Sequence, residues 1–196
     1  MKFGNQWNSG RLIPHLTGLT VKLFRNRCLR RSNLVGTFYQ PNLVIIDPIF
    51  LKSLPFREIK SGYAEIVKHS LINDKNFFEW LKKHYKDIFK LKNSKLLYAI
   101  EKSIKIKSKN LIKDEKEILK NSSSRAILNF GHTFGHALES INNYKSSLNH
   151  GEAIAIGMIS ASKISYLTGS LSKKQLEEII FHFKICSLPV KSKLIN

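Results

Sequence analysis

The stretch that decides the fold reads NFGHTFGHALE at residues 129–139 and is followed by HGEAIAIGM at residues 150–158. The polar side chains in it that could carry chemistry lie within 22 residues, among small and apolar neighbours, and are Asn129, His132, His136 and His150. Imidazole is the commonest metal ligand and a proton carrier near neutral pH. One helical histidine is usually a packing or solvent-facing residue, but three beside glycines, which allow close approach, indicate a site.

Outward from this stretch the sequence is helical in both directions. Apolar periodicity and capping signals predict helices over residues 56–72, 76–89, 94–119, 132–141 and 151–167, and a last helix that opens at the capping box Ser172–Gln175 and stops before Pro189. The β-branched run Leu43–Asp47 predicts one short strand, ended by Asp47 and Pro48. The predicted fold class is therefore mostly α with one short strand.

The third predicted helix carries a lysine on its apolar side. Its stripe is predicted to consist of Leu97, Ile100, Ile104 and Leu111, and Lys107 falls on that stripe. A lysine on a buried face is costly unless its ammonium reaches solvent or meets an anion. Both outcomes remain open from the residues alone.

Composition narrows the function classes. Two distant cysteines and the lack of an apolar leader favour a reduced, cytoplasmic protein, and no run approaches the roughly 18 apolar residues of a membrane helix. The net charge is +19, but 26 of the 33 basic residues are lysines spread along polar helix faces. Nucleic-acid-binding surfaces usually concentrate arginine and interleave aromatic residues, so we do not expect a nucleic-acid partner.

The chain resembles the 3-dehydroquinate synthase family of the shikimate pathway. The resemblance is carried by five motifs in the family's order, namely NLVGTFYQP at 33–41, LPFRE at 54–58, SGYAEIVK at 61–68, LNFGHTFGHALE at 128–139 and HGEAIAIGM at 150–158. It implies the helical C-terminal domain of that family. We therefore expect residues 33–196 to form a metal- and substrate-binding helical domain and residues 1–32 to be an irregular segment with little family resemblance.

Spacing and resemblance disagree about the metal ligands. Spacing alone favours His132 with His136, since residues four apart share a helix face. The resemblance implies Glu65, His132 and His150, with a divalent Zn²⁺ or Co²⁺, and gives His136 to the substrate. Glu65 and His69 are also four apart, but the family pattern does not support His69.

The resemblance also implies the remaining site residues. The positions that match catalytic or substrate-contacting residues of the family are His136, Lys68, Lys107, Arg125 and Asn129, and those that match further substrate-binding residues are Asn33 and Glu117. Arginine suits phosphate oxygens because its planar fork bonds two of them at once.

The implied reaction converts 3-deoxy-arabino-heptulosonate 7-phosphate to 3-dehydroquinate with elimination of phosphate, in the biosynthesis of chorismate and the aromatic amino acids. The implied partners are an anionic sugar-phosphate substrate, NAD, and a second copy of the chain in a homodimer. However, no Gly-x-Gly-x-x-Gly follows a strand, so the usual cradle for the NAD pyrophosphate is not recognisable.

Three interpretations therefore stay open at the level of sequence. The chain is a dehydroquinate synthase completed by a separate nucleotide-binding chain, a catalytically inactive truncated remnant that keeps a metal-binding helical domain, or a related sugar-phosphate cyclase.

Overall fold

The computed structural model describes residues 44–114, 118–119 and 124–192 of the 196-residue chain. These residues form two 3-10 helices, Pro48–Ser53 and Arg125–Asn129, and six α-helices: α1 (Phe56–Asn73), α2 (Lys75–Phe89), α3 (Asn93–Lys113), α4 (His132–Ile141), α5 (His150–Leu167) and α6 (Lys173–Ile185). The mostly α fold is confirmed. No helix in this part of the chain combines the length and apolar composition needed to cross a bilayer.

The strand predicted at Leu43–Asp47 is wrong over the residues that the structure describes. Residues 44–47 have no regular structure, and the Asp47 carboxylate accepts the N–H of Ile49 at 2.9 Å to begin the first 3-10 helix. Pro48 favours this start because its fixed φ suits a first helical position. A β-branched run forms a strand only beside another strand, and the described residues contain none.

Local signals set most helix ends. The capping box at α6 is formed as predicted, with the Ser172 N–H donating to Gln175 Oε1 and the Gln175 N–H donating to Ser172 Oγ. Helix α3 ends at Lys113, earlier than the predicted residue 119. The buried Asp114 stops it, since its carboxylate accepts the backbone N–H groups of Ile118, Leu119 and Arg125.

The buried side of α3 differs from the predicted stripe. Leu97 lies on the predicted apolar stripe but is 50% exposed, whereas Ile100 and Leu111 of that stripe are buried as predicted. The buried residues of this helix are Leu96, Ala99, Ile100, Ser103, Ile106, Asn110 and Leu111. Two of them are polar and satisfied inside the protein, so a purely apolar period could not locate this side.

Helices α1 and α5 are the most deeply buried elements. Helix α1 packs against α2, α3 and α5, and α5 packs in turn against α4 and α6. Large side chains with less than 2% exposure fill the space between them and include Tyr63, Phe77, Ile154, Met158 and Phe183. This arrangement places the middle of α1 beside the first residues of α4 and α5.

Candidate metal centre

Three side chains from three helices meet at this junction. Glu65 lies in the middle of α1, His132 is the first residue of α4, and His150 is the first residue of α5. Oε1 of Glu65 lies 3.9 Å from Nε2 of His132 and 3.8 Å from Nε2 of His150. One ligand atom from each of the three lies within 4.8 Å of the other two, so the group could hold a metal ion.

Glycines allow α4 and α5 to approach closely enough to form this cluster. Gly131 precedes α4 in a left-handed conformation, with φ 78°, which side chains other than glycine rarely adopt. A Cβ at Gly157 of α5 would lie 2.0 Å from the Gly131 carbonyl oxygen. Because neither position tolerates a side chain, the backbones touch, and His132 is held near α5.

Hydrogen bonds select the same tautomer for both imidazoles. Nδ1 of His132 lies 3.3 Å from the Phe130 carbonyl oxygen, and Nδ1 of His150 lies 3.2 Å from Oε1 of Glu139. Both partners can only accept, so each Nδ1 carries the proton. A neutral ring in this tautomer presents the lone pair of Nε2 to Glu65.

The Glu65 carboxylate is used asymmetrically. Oε2 accepts a hydrogen bond from Lys68 Nζ at 2.7 Å, whereas Oε1 is buried without a hydrogen-bond partner. Burial alone would raise the pKa of Glu65, but the charge of Lys68, with smaller contributions from His132 and His150, holds it well below its usual value. The carboxylate is therefore ionised at neutral pH.

The geometry of these donors fits a small divalent cation. Ligand bonds of roughly 2.0–2.1 Å at tetrahedral angles put neighbouring donor atoms about 3.3 Å apart. The two nitrogen–oxygen separations here are 3.8 and 3.9 Å, so each needs to contract by about half an ångström. An anionic oxygen without a partner and two imidazole lone pairs form a suitable donor set for Zn²⁺ or Co²⁺.

His136 lies beside this cluster. Its ring centroid is 5.2 Å from that of His132 and 6.1 Å from that of His150, and the residue is exposed. His136, Glu139 and His150 make a second group whose ligand atoms lie within 4.8 Å of one another. His136, which helical spacing pairs with His132, therefore lies next to the three residues that the resemblance implies as ligands.

His69 is a core residue. Its Nδ1 lies 2.6 Å from Ser103 Oγ of α3, and the residue is 1% exposed. Burial, reinforced by the charge of Lys68, lowers the pKa of His69 to about 3. His69 is therefore a neutral, hydrogen-bonded imidazole that packs in the α1–α3 interface.

Hydrogen bonds from α1 hold the first turn of α5, which contains His150. The Arg57 guanidinium donates to both carboxylate oxygens of Glu152, at 2.7 and 2.5 Å, and to the carbonyl oxygens of Ser146 and Ser147. Glu152 and Asn149 form a capping box. The Gly151 N–H also donates to Ser61 Oγ at 3.0 Å. These contacts fix the residue on each side of His150.

Three further predicted site residues come from α3 and the second 3-10 helix, namely Lys107, Arg125 and Asn129. Lys107 is half-buried, and its pKa is lowered to about 8, mainly by burial; Glu65 opposes this shift, and Lys68 and Arg125 add to it. It is therefore within electrostatic reach of all three. Arg125 begins the second 3-10 helix, its backbone held by Asp114, and Asn129 ends that helix on the exposed side.

Two predicted site residues, Asn33 and Glu117, lie outside the described residues. The sequence did not predict Glu139, Asp114 and Arg57, whose side chains contact residues of the site or the loop beside it. Glu139 shares a helix with His132 and His136, which was a usable signal, but its contact with His150 depends on how α4 and α5 cross.

Similarity to known proteins agrees with this geometry. The model of the 3-dehydroquinate synthase C-terminal domain matches residues 62–196. The 3-dehydroquinate synthase of Pelagibacter ubique is 50% identical over 158 residues, which are 81% of this chain and 42% of the relative. That of Zymomonas mobilis is 44% identical over 162 residues, 83% of this chain and 42% of the relative. The chain thus spans less than half the length of these relatives.

Solved structures of related cyclases have the same fold. A 2-epi-5-epi-valiolone synthase from Streptomyces hygroscopicus with NAD⁺ and Zn²⁺ bound superposes with a TM-score of 0.76 and 25% identity, over 85% of this chain and 45% of that one. A 2-deoxy-scyllo-inosose synthase with carbaglucose-6-phosphate, NAD⁺ and Co²⁺ gives 0.67 and 29%, over 85% and 44%. Because the family match covers well over half of the chain and includes all three residues of the cluster, this protein belongs to the 3-dehydroquinate synthase family, through its C-terminal domain.

Proposed function

We propose that this chain is the metal- and substrate-binding part of a 3-dehydroquinate synthase, which eliminates phosphate from 3-deoxy-arabino-heptulosonate 7-phosphate and closes the carbocycle. The observation that carries the proposal is the partnerless Oε1 of Glu65, which faces the Nε2 atoms of two histidines. The relatives named 3-dehydroquinate synthase, at up to 50% identity, support the same reaction.

Glu65, His132 and His150 would hold a divalent ion, and the Zn²⁺ and Co²⁺ in the related cyclase structures support this choice of metal. When bound, such an ion supplies Lewis-acid polarisation of substrate oxygens. The residues of the chain prepare for it: Lys68 keeps Glu65 ionised, and the Nδ1 hydrogen bonds keep both imidazoles in the ligating tautomer.

Lys107, Lys68 and Arg125 would neutralise the carboxylate and phosphate of the substrate. Burial holds the pKa of Lys107 at about 8, and an anion placed beside it would raise that pKa and fix the ammonium form. His136 would carry a proton at the edge of the metal centre, because it is exposed and adjacent to both histidines. Asn129 would contact the substrate from the end of the second 3-10 helix. Asn33 and Glu117 stay in the proposal as substrate contacts on the family pattern alone.

NAD binding is assigned to a nucleotide domain, which we propose is contributed by a separate polypeptide, with a homodimer as the assembly. The sequence of this chain contains no Gly-x-Gly-x-x-Gly turn to bind the pyrophosphate through backbone N–H groups.

A related sugar-phosphate cyclase activity is the second candidate, because both structural relatives named above act in other cyclase reactions. The two functions differ in substrate, so one assay with two substrates separates them.

The experiment measures phosphate release by the purified chain with NAD and Zn²⁺ or Co²⁺, alone and mixed with the N-terminal part of the Pelagibacter ubique relative. We expect release from the heptulosonate phosphate in the mixture, and none from glucose 6-phosphate. Lys107→Met and His136→Ala should abolish release, and the exposed-site control Lys173→Met should retain it. Release from glucose 6-phosphate instead would favour the second candidate. No release from either substrate, with metal bound, would favour an inactive remnant.

A further inference from the structure

The His150 imidazole lies between two carboxylates that come from different helices. Its Nε2 lies 3.8 Å from Oε1 of Glu65 on α1, and its Nδ1 lies 3.2 Å from Oε1 of Glu139 on α4. Glu139 is half-buried, with 12% of its side chain exposed. The helix that supplies His132 to the cluster therefore also supplies the carboxylate behind His150.

The two histidines of the cluster have different acceptors behind them. His132 donates its Nδ1 proton to a neutral carbonyl, that of Phe130, whereas His150 donates to a carboxylate. A carboxylate behind an imidazole fixes the ring orientation and makes the opposite nitrogen a stronger electron donor.

We propose that Glu139 is a positioning residue for the metal centre, which holds His150 with the proton on Nδ1 and the Nε2 lone pair aimed at Glu65. This inference rests on the proposed metal site. The same pair of helices that approach closely at Gly131 and Gly157 bring Glu139 and His150 within hydrogen-bonding distance.

A competing role for Glu139 is that of a direct ligand together with His136 and His150, which also lie close enough to hold an ion. The His150 nitrogen beside Glu139 is Nδ1, at 3.2 Å, so an ion shared by these two atoms would lie on Nδ1 and leave the proton on Nε2, the opposite tautomer. This arrangement would also rest on the exposed His136 and leave the buried Oε1 of Glu65 without a partner. Burial and donor satisfaction therefore favour the positioning role.

The experiment combines two measurements on the full chain. Nitrogen-15 NMR of the metal-free protein, at a pH where the imidazoles are neutral, reports the tautomer of His150. Titration with Co²⁺, followed by its visible absorption, and with Zn²⁺, followed by calorimetry, reports metal affinity. The variants are Glu139→Gln, Glu139→Ala and His136→Ala, with Glu177→Ala, an exposed glutamate on α6, as the control.

We expect Glu139→Ala to mix the tautomers of His150 and weaken metal binding about 10- to 100-fold. Glu139→Gln, whose amide oxygen still accepts from Nδ1–H, should keep the tautomer and lose less than about tenfold. Glu177→Ala should match the parent chain, and His136→Ala should keep its metal affinity and its His150 tautomer. An unchanged tautomer and affinity in Glu139→Ala would overturn the proposal. So would equal losses in Glu139→Gln and His136→Ala, which would make Glu139 a ligand. If the parent chain binds no metal, the proposed metal site fails, and the tautomer in Glu139→Gln and Glu139→Ala still decides whether Glu139 positions His150.

Discussion

The ammonium of Lys68 lies 2.7 Å from Oε2 of Glu65 and bonds only this oxygen of the carboxylate. Oε1 is left facing Nε2 of His132 and of His150, at 3.9 and 3.8 Å. The pair is buried, with Lys68 at 4% and Glu65 at 8% exposure. Lys68 thus compensates the charge of a carboxylate whose second oxygen stays available to an ion.

Replacing Lys68 by methionine should leave Glu65 as an uncompensated buried charge. Breaking a buried pair from one side typically costs about 3–5 kcal/mol, so we expect the free energy of unfolding of the metal-free chain to fall by at least about 3 kcal/mol. Zn²⁺ should restore part of this loss because it supplies positive charge to the same carboxylate. Urea unfolding with and without Zn²⁺ measures both effects. In the control Lys102→Met, which removes a partly exposed partner of Asp74, the loss should stay below about 1 kcal/mol. Equal losses in the two variants would contradict the prediction.

Alanine variants of the three histidines should separate ligands from neighbours. His132→Ala and His150→Ala each remove an Nε2 donor, and we expect no Co²⁺ or Zn²⁺ binding at concentrations that saturate the parent chain. His136→Ala should bind with unchanged stoichiometry, since its ring lies beside the cluster and not between the donors. Calorimetric titration checks all three, after circular dichroism has shown that each variant keeps its helices. Loss of binding in His136→Ala with retention in His150→Ala would reverse the assignment.

Local signals in the sequence predicted the helices but not every boundary. The bounds of α4 match the prediction, and the Ser172–Gln175 box opens α6, because caps and glycines act within one turn. The strand at Leu43–Asp47 failed because strand formation needs a partner that a propensity argument does not supply. The end of α3 was missed because Asp114 gathers backbone N–H groups from later in the chain.

Most residues of the site could be predicted from the sequence, but their relative positions in space could not. Spacing within one helix favoured His132 with His136, and only the family resemblance added Glu65, which lies on another helix. The contact between Glu139 and His150 depends on how α4 crosses α5, and that crossing depends on Gly131 and Gly157. Helical periodicity describes single helices, so it cannot give the angle or depth of a crossing.

Arg57 should matter for metal binding although it lies outside the cluster. Its guanidinium donates to Glu152 and to two loop carbonyls, which flank His150 in the chain. The single ammonium of lysine cannot make all of these hydrogen bonds. We expect Arg57→Lys to speed amide exchange over residues 146–152 and to weaken Zn²⁺ binding several-fold. Hydrogen-exchange mass spectrometry and calorimetry measure the two effects. The control is Lys60→Met, which removes a charge near Glu152 from the same helix but whose hydrogen bond goes to the Ser187 carbonyl, outside this loop. Unchanged exchange in Arg57→Lys would contradict the prediction.

Acid should destabilise the fold partly through His182. This residue is fully buried, its Nε2 lies 3.0 Å from the Tyr63 hydroxyl, and burial, with a smaller contribution from Lys82, lowers its pKa from 6.5 to about 4. The unfolded chain therefore binds a proton near pH 6.5 that the folded chain takes up only near pH 4. The contribution of His182 to the free energy of unfolding is fully present above pH 6.5. It falls by up to about 3 kcal/mol as the pH drops to 4.

The test compares unfolding free energies at several pH values for the parent chain and His182→Gln, which keeps an acceptor for Tyr63 and does not titrate. The parent should lose about 3 kcal/mol more than the variant between pH 6.5 and pH 4. His69 and His132, whose pKa values are also lowered, to about 3 and about 4, contribute to the loss in both proteins and cancel in the comparison. Parallel curves for the parent and His182→Gln would contradict the assignment.

A single methyl group at Gly157 should damage both the fold and the metal centre. Its Cβ would lie 2.0 Å from the Gly131 carbonyl oxygen and 2.9 Å from the Gly135 nitrogen, so α4 must move away from α5. Overpacking of this kind costs about 1–3 kcal/mol or more, and the displacement carries His132 and Glu139 away from His150. We therefore expect Gly157→Ala to lower stability by at least about 2 kcal/mol and Zn²⁺ affinity by at least about tenfold. Gly169→Ala is the matched control, because its φ of 77° is strained for alanine but nothing lies within 4 Å of the added carbon. It should cost about 1 kcal/mol of stability and leave metal affinity unchanged. If Gly157→Ala also left affinity unchanged, the close crossing would contribute to stability alone.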